Sequence, residues 1–266
     1  MKKTAIKAAL EAGKILKKGF RNYKTLTFKQ NDPCNYLTEV DLESQKKIIQ
    51  IIKNNYPKHK IISEEKKKEE NKIQDKNDYY WIIDPLDGTS SFVHGNVYFS
   101  VSIALYKNNN PIIGIVYFPI IDELFTAEKG KGSYFNNTKL KSSNIKSIKD
   151  SFLGMTWNSS DQYFKNVGLK IFYDFGLITR KNYKQGSATA NLIGVTNKKF
   201  DIAIGCGPYI WDIAAIDLIV REAGGQFTTL DNKKIDLDYE PQIVIASTNK
   251  TLHQKVINKI KRTRVD

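Results

Sequence analysis

Residues 79–95, with the sequence YYWIIDPLDGTSSFVHG, decide the fold of this chain. The first five residues, Tyr79 to Ile83, form an apolar run whose length and β-rich composition predict a buried strand. The hexapeptide DPLDGT (84–89) follows directly. Because proline cannot continue a central strand and presets the first corner of a turn, we expect the strand to end and the chain to bend at Pro85.

The two aspartates of this bend, Asp84 and Asp87, can point to the same side with the Leu86 carbonyl between them. Three hard oxygen ligands within a few ångströms suit Mg²⁺ better than zinc. Gly88 and Thr89 then offer backbone N–H groups at the expected start of a helix, where a phosphate binds well. A plain surface turn explains the hexapeptide about equally well, because turn signals of this kind are common.

Acidic residues elsewhere in the chain favour the metal interpretation. Glu64, Asp84, Asp87 and Asp212 each begin or end an apolar element, so all four can converge at one sheet edge. Taken singly, Glu64 could be a solvated loop acid and Asp212 a helix N-cap. Buried carboxylates repel each other unless cations neutralise them, so the cluster predicts bound metal. Asp41 lies in the first turn of another predicted helix, where the helix dipole alone would also favour an acid.

The composition excludes several classes of protein. At 41% hydrophobic residues, the chain has no apolar run near the ~18 residues that a membrane span needs. Cys34 and Cys206 lack metal-ligand spacing, so we expect reduced thiols in the cytoplasm. The net charge of +14 suggests a nucleic-acid partner, but the lysines are spread over the whole chain and no nucleic-acid motif is present. We expect neither a membrane nor a nucleic-acid partner, and a surface that attracts phosphorylated substrates.

Hydrophobic periodicity predicts the remaining elements. The N-terminal half is predicted to form a largely antiparallel sheet with two early helices on one face, and the C-terminal half to be α/β. A charged stretch, 66–76, is predicted to be a mobile loop. The polar stretch 139–149 places the boundary between an N-terminal domain, 1–144, with most metal ligands, and a C-terminal domain, 145–266, with Asp212. The predicted helices are 4–20, 39–52, 162–172, 187–195 and 212–223, and the predicted strands are 60–62, 79–83, 99–106, 112–118, 123–128, 151–156, 200–204 and 242–246.

Residues 84–95, DPLDGTSSFVHG, resemble the signature of the inositol monophosphatase family, which comprises Mg²⁺-dependent, lithium-sensitive sugar-phosphate phosphatases. Three further motifs follow the family's order: TEVD (38–41), SEE (63–65), and WDIAA (211–215) closing on EAGG (222–225). The resemblance covers nearly the whole chain. It implies a layered αβαβα sandwich with the site between its halves, and the activity of a phosphoric monoester hydrolase.

The resemblance also implies roles for individual residues. Two or three Mg²⁺, with Mn²⁺ as a substitute, would be held by Glu64, Asp84, Asp87, Asp212 and the Leu86 carbonyl. Asp41 and Thr89 would orient the attacking water, with Glu64 as a further catalytic residue. No serine or cysteine has a nucleophile setting, so we expect direct hydrolysis without a phosphoenzyme. The implied substrate contacts are Asp87, Gly88, Thr89, Gly186, Ser187, Ala188, Gly205 and Asp212.

The branch of the family is indicated by two features. The tripeptide SSF (90–92) resembles inositol monophosphatases more than bisphosphate nucleotidases. Gly205 stands where animal inositol monophosphatases have a glutamate that binds inositol hydroxyls. Because glycine supplies no polar group, we predict a tolerant, homodimeric enzyme for inositol 1-phosphate and other small sugar or polyol phosphates. Fructose-1,6-bisphosphatase and 3'(2'),5'-bisphosphate nucleotidase activities are the alternatives.

Two hypotheses of other classes stand beside this one. A metal-binding homologue without activity is disfavoured by the intact Glu64, Asp84, Asp87 and Asp212. A nucleic-acid-binding protein, suggested by the charge, would show steeply salt-dependent retention on DNA.

Overall fold

The computed structural model describes residues 1–66 and 68–263. Within them the chain forms seven α-helices and fourteen β-strands. The helices are α1 (Lys2–Gly19), α2 (Glu39–Asn55), α3 (Thr89–Val93), α4 (Gln162–Gly176), α5 (Ala188–Leu192), α6 (Ile210–Glu222) and α7 (Lys250–Arg262). The strands are β1 (Leu26–Phe28), β2 (Tyr36–Thr38), β3 (Lys60–Ser63), β4 (Tyr79–Asp87), β5 (Ser100–Lys107), β6 (Asn110–Phe118), β7 (Glu123–Glu128), β8 (Ser133–Phe135), β9 (Thr138–Lys139), β10 (Phe152–Trp157), β11 (Lys181–Tyr183), β12 (Ile202–Cys206), β13 (Gln226–Thr229) and β14 (Ile243–Ser247).

The strands form one large and one smaller sheet, besides the β1–β2 hairpin. Strands β3 to β9 follow chain order in a seven-stranded sheet. In it β3 and β4 are parallel, and the later neighbours are antiparallel, as predicted for this half. The second sheet has the order β11-β10-β12-β14-β13 and mixes parallel with antiparallel pairs. It belongs to the half that was predicted to be α/β.

Helices cover both faces of each sheet, which gives five layers. One face of the large sheet buries α1 and α2, and its other face shares a core with α5, α6 and the smaller sheet. Helices α4 and α7 cover the outer face of the smaller sheet. Helix α6 is buried from Ile213 to Val220 because a sheet lies on each side of it. The predicted αβαβα sandwich is confirmed.

Strand β4 differs from the prediction, since it continues past Ile83 to Asp87. Asp84 pairs with Ser102 and Asp87 with Ser100, so three steps along β4 match two along β5. This arrangement is a β-bulge, and it accommodates Pro85 because a bulged residue leaves the hydrogen-bond ladder. The two aspartates therefore lie on an irregular strand end and not on a turn beyond it.

Five elements were not predicted because they are short: the β1–β2 hairpin, β8, β9, β11 and β13. Helix α7 was also not predicted, although its buried Leu252, Val256, Ile257 and Ile260 recur at helical spacing. The predicted loop 66–76 includes a 3-10 helix, Lys68–Asn71, and the Asn71 side chain hydrogen-bonds both backbone groups of Ser63. Lys67 lies outside the described residues.

The predicted domain boundary at residue 144 falls between β9 and β10, and the division into two domains stays a prediction.

None of the described helices has the length and apolar composition required to cross a bilayer.

Candidate active site

Three aspartates from distant parts of the chain meet between the two sheets. Each of Asp84, Asp87 and Asp212 offers an oxygen within 4.8 Å of the others. The first two lie on the bulge of β4, and Asp212 lies in the first turn of α6. One oxygen of Asp212 accepts the backbone N–H of Tyr209 at 2.7 Å. The N-cap of α6 is Tyr209 and Asp212 is the third residue of the helix, so Asp212 is not the N-cap of its alternative interpretation. Its other oxygen faces the cluster.

Asp87 connects the large sheet to the start of α5. Its carboxylate accepts backbone N–H groups from Ala188 at 3.2 Å and Thr189 at 3.0 Å, and also the Thr189 hydroxyl. Gly88 must be glycine, since its φ is +85° and a Cβ would lie 2.6 Å from the Ser187 Cβ. This close approach brings the predicted segment 186–188 against the aspartates. Thr189 was not predicted, because a threonine inside a short helix carries no distinctive sequence signal.

Burial and mutual repulsion raise the pKa values of the cluster. For Asp84, burial acts first and the charges of Glu64, Asp87 and Asp212 add to it, so its pKa lies well above the usual range. Burial and the same kind of repulsion raise the pKa of Asp212 well above its usual range. Burial also raises the pKa of Asp87, although hydrogen bonds from Thr189 and Ser187 oppose this. Such carboxylates ionise together only at a cost that a cation removes, and an all-oxygen donor set fits Mg²⁺.

Glu64 lies beside Asp84 but outside the compact group of three. The parallel register of β3 and β4 pairs Ser63 with Ile83, so the next residues of the two strands are neighbours. Glu64 lies 2.7 Å from Lys29, which also contacts Glu65 at 2.5 Å. Burial disfavours the charged form of Lys29, but the two glutamates outweigh it and raise its pKa above the usual range. No sequence pattern indicated Lys29, which lies on a 3-10 turn far from both partners in the chain.

Thr89 and Asp41 are in contact at the edge of the cluster. The Thr89 hydroxyl lies 3.1 Å from Asp41 Oδ1 and 3.2 Å from the Leu86 carbonyl oxygen. Asp41 is fully buried, and its second oxygen accepts the hydroxyl and the backbone N–H of Thr38. Burial raises the pKa of Asp41 to about 6, with the Thr38 hydrogen bonds opposing the shift. The hydroxyl can therefore donate to Asp41 and still accept a hydrogen bond from a ligand or water.

A cavity of about 360 Å³ opens over the cluster. We call Glu64, Asp84, Asp87 and Asp212 the floor of this cavity. We call the residues of 33–36, 156–160, 184 and 206–209 its rim. Leu86 and the predicted contacts Gly88, Thr89, Gly186, Ser187 and Ala188 also line the cavity. The rim residues were not predicted, because they come from loops and strand ends without periodic patterns.

Gly205 is the predicted substrate contact that the structure does not place on the cavity wall, where its neighbours Cys206 and Gly207 lie instead. A Cβ at position 205 would lie 3.0 Å from Val244 Cγ2 and 3.4 Å from atoms of Pro208 and Thr156. The glycine is closely surrounded by its strand neighbours. The role of Gly205 in substrate specificity stays a prediction.

The fold and the site define a layered α/β protein with an oxygen-ligand cation site where its two sheets meet. The inositol monophosphatase family model matches residues 1–264, and the chain belongs to this family. The family is Mg²⁺-dependent and acts on sugar phosphates, which agrees with the donor set of the floor.

Individual relatives cover most of the chain. It is 36% identical over 221 residues to the Nus factor SuhB of Pasteurella multocida, covering 83% of this chain and 82% of that protein. It is 31% identical to the fructose-1,6-bisphosphatase/inositol-1-monophosphatase of Aquifex aeolicus, covering 96% and 93%. Among solved structures, the IMPase of Thermotoga maritima superimposes with a TM-score of 0.84 at 29% identity, covering 97% of this chain and 95% of that one.

Proposed function

We propose that this protein is a Mg²⁺-dependent, lithium-sensitive phosphomonoesterase that hydrolyses inositol 1-phosphate and related small sugar or polyol phosphates. The observation that carries the proposal is the convergence of Asp84, Asp87 and Asp212 within 4.8 Å at the bottom of a cavity. The contact between Thr89 and Asp41 beside this cluster supports it. A fructose-1,6-bisphosphatase activity is the nearest alternative, and the relative from Aquifex aeolicus carries both names.

The floor would hold two or three Mg²⁺ through Glu64, Asp84, Asp87, Asp212 and the Leu86 carbonyl, with Mn²⁺ as a substitute. When bound, these cations would supply positive charge for the phosphate and the leaving oxygen, and would lower the pKa of water. The cluster is suited to this because burial, together with repulsion between the carboxylates, raises the pKa values of Asp84 and Asp212, and neither aspartate forms a salt bridge with a lysine or arginine of the described residues.

The chain's own groups position the water and the substrate. The Thr89 hydroxyl donates a hydrogen bond to ionised Asp41, so the Thr89 oxygen is free to accept a hydrogen bond from the attacking water. This second hydrogen bond orients the water so that a lone pair of the water oxygen points at phosphorus. Backbone N–H groups of Gly88 and Thr89 hold the phosphate oxygens. Gly186, Ser187 and Ala188 contact the sugar. The water oxygen bonds to phosphorus, the ester P–O bond breaks, and a proton from the water ends on the departing alcohol, leaving inorganic phosphate.

A phosphate-release assay over a panel of sugar, polyol and nucleotide phosphates tests this proposal. We expect release from inositol 1-phosphate and several small sugar phosphates with Mg²⁺, inhibition by Li⁺, and no release in excess EDTA. Full activity in excess EDTA, or no release from any member of the panel with Mg²⁺ present, would contradict the proposal.

A second candidate is a role like that of the relatives named Nus factor SuhB, with a polyanionic partner. The net charge of +14 favours this candidate. Retention on nucleic acid that weakens steeply with rising salt would support it, since each neutralised phosphate adds to the salt dependence. Equal, weak retention at all salt concentrations would exclude this second candidate, and the phosphatase would be the one remaining proposal.

We also propose that the protein is a cytosolic homodimer. The cytosolic setting rests on Cys34 and Cys206, both of which are free thiols.

The dimer rests on three exposed side chains spaced four residues apart, Leu169 and Tyr173 in α4 and Leu177 at its C-cap. Their exposed fractions are 47%, 67% and 71%, respectively. Apolar side chains aligned on one helix face favour association. Sedimentation of the wild type should give a dimer, and a Tyr173→Asp variant should sediment as a monomer. A monomeric wild type would contradict this.

A further inference from the structure

A second cavity, in the form of an open groove, runs along α1. It lies on the face of the large sheet that buries α1 and α2, away from the smaller sheet. Its volume is about 470 Å³, and none of its lining residues also lines the cavity of the candidate active site. The lining comes from one stripe of α1, between Lys3 and Lys17, and from Tyr117 on β6. We call this feature the α1 groove.

The base of the α1 groove is apolar. Ile6 and Leu10 lie one helical turn apart, are half-buried and pack against the core beneath the helix. Gly13 lets α1 lie directly against the sheet, because a Cβ there would be 2.4 Å from Tyr117 Cε1. The Tyr117 hydroxyl already donates a hydrogen bond to Asp122 at 2.7 Å. A ligand in the groove therefore meets mainly carbon atoms at its base.

Lysine side chains surround this apolar base. The four lysines of the lining are exposed: Lys3, Lys7, Lys14 and Lys17. Lys14 pairs at 2.7 Å with Glu11, the one acidic residue of the lining. The hydrogen bond from Lys14, together with the charges of nearby lysines, lowers the pKa of Glu11. Within residues 1–66 and 68–263, no carboxylate forms a salt bridge with the other three lysines, so their ammonium groups lack a countercharge.

The length of the α1 groove matches that of a short helix. At a rise of 1.5 Å per residue, the stripe from Lys3 to Lys17 is about 21 Å long, or about four helical turns. A helix with apolar residues three and four positions apart can pack on Ile6 and Leu10, as ligand helices do in other apolar grooves. Acidic residues beside that apolar stripe would be complementary to the lysines.

Other occupants match fewer of these features. The phosphate backbone of a nucleic acid would use the lysines but would gain nothing from an apolar base. A bilayer surface binds apolar side chains that protrude into it, whereas Ile6 and Leu10 are half-buried. A second copy of this chain would bring the same lysines to a two-fold contact, where like charges repel.

We propose that the α1 groove is a docking site for an acidic amphipathic helix of a partner protein. The apolar residues of the partner helix pack on Ile6 and Leu10, and its carboxylates pair with Lys3, Lys7 and Lys17. Because the groove and the catalytic cavity have no lining residue in common, this inference adds a protein-binding surface to the proposed phosphatase and does not depend on that activity.

Fluorescence anisotropy with a labelled synthetic peptide tests the proposal. The probe is a helix-forming peptide of about 18 residues of glutamate, alanine and leucine, with its leucines three and four positions apart. A control peptide has the same composition, but its leucines are scattered around the helix. We expect the probe to bind the wild type at about 0.15 M salt, and the control peptide to bind at least about tenfold more weakly.

Three variants assign the binding to the groove. Lys7→Glu should weaken binding of the probe about tenfold or more, because it reverses a charge that faces the carboxylates. Leu10→Ala should weaken it by about threefold to tenfold, through the loss of apolar contact. The matched control is Lys250→Glu, which makes the same change of charge at the start of α7, outside the groove, and should leave binding unchanged.

Lys7→Gln keeps the test valid if Lys7→Glu folds poorly, since it removes the charge without adding a carboxylate near Glu11. It should weaken binding about threefold or more. Both Lys7 variants should retain the kcat of the wild type for inositol 1-phosphate. A wild type that binds the probe but hydrolyses no phosphate ester would contradict the proposed function alone.

Several results would overturn the docking inference itself. These are the absence of probe binding, equal binding of the two peptides, and unchanged binding in both Lys7 variants. Tighter binding of duplex DNA, or of vesicles that contain phosphatidylserine, than of the probe would also contradict it, because a polyanion or a membrane would then be the better occupant.

Discussion

The floor and the rim of the cavity are built in different ways. The floor consists of carboxylates on strand ends and a helix start, and Asp84, Asp87 and Asp212 are fixed by backbone elements of both sheets. The rim consists of loop and strand-end residues, and Lys184 there has no charged partner among the described residues. Because the floor is fixed and uniformly acidic, it sets the chemistry. The rim carries side chains of several chemical types, including hydroxyl, amide, aromatic and ammonium groups, so substrates can be distinguished there.

The largest effect is expected at the floor, from Asp212→Asn. Asparagine keeps the size of the side chain and can still accept the Tyr209 N–H, so the start of α6 is preserved. The loss of one negative charge weakens cation binding, and turnover should fall at least about a hundredfold. The measurement is kcat with saturating Mg²⁺, with circular dichroism as a check on the fold.

Asp161→Asn is the matched control for this variant, since Asp161 also serves a helix start, at α4, but lies outside the cavity lining. It should retain nearly full turnover. Equal losses in Asp161→Asn and Asp212→Asn would show that the effect comes from the helices and not from the floor.

A somewhat smaller effect is expected from Thr89→Ala, which removes the hydroxyl between Asp41 and the attacking water. We expect kcat to fall by about 10²-fold with KM nearly unchanged, because the lost interaction matters mainly in the transition state. Thr89→Ser keeps the hydroxyl and should retain most of the activity. A rise in KM at constant kcat would instead make Thr89 a substrate-binding group.

The pH dependence of kcat should report on Asp41. Its pKa is raised to about 6, so its ionised form, which accepts the Thr89 proton, dominates above that pH. We expect kcat to rise with pH through an apparent pKa of about 6. In Asp41→Asn the residual activity should lose this ascending limb. A limb that persists unchanged in Asp41→Asn would assign it to another group.

The smallest effect is expected from Gly205→Ala. This variant shows whether Gly205 matters for the packing of the sheet or for substrate specificity. In Gly205→Ala the new Cβ would lie 3.0 Å from Val244 Cγ2, so a neighbour must shift. We expect a loss of about 1 kcal/mol in stability, or a Tm lower by about 2–4 °C. The ratio of kcat/KM for fructose 1,6-bisphosphate and fructose 1-phosphate should not change. A change in this ratio without a change in Tm would return a role in specificity to Gly205.

The floor was more predictable from the sequence than the rim, for a physical reason. Asp84, Asp87 and Asp212 each adjoin a long apolar run, and such runs determine where strands and helices end. The Lys29–Glu64 contact joins residues that are distant in sequence, with no periodic pattern to relate them. Lys184 follows a three-residue strand that is too short to show alternation.

The bulge in β4 and the packing at Gly205 could not be predicted from local patterns either. In both cases neighbouring strands decide the geometry: β5 fixes the offset between Asp84 and Asp87, and Val244 on β14 lies against Gly205. Propensity correctly disfavours proline within a strand, but it does not indicate that a bulge would accommodate Pro85.

The central claim is that the floor is a carboxylate cluster that needs cations, and thermal unfolding with and without Mg²⁺ tests it most directly. The folded-state pKa values of Asp84 and Asp212 are raised, so in EDTA their contribution to stability is present at low pH and is lost as pH rises through the folded-state values. Mg²⁺ binds the ionised cluster of the folded protein and should restore this stability. We predict that Mg²⁺ raises Tm markedly at about pH 8 and much less at about pH 5, with a smaller increase in Asp212→Asn. An equal Tm in EDTA and in Mg²⁺ at the higher pH would contradict the account.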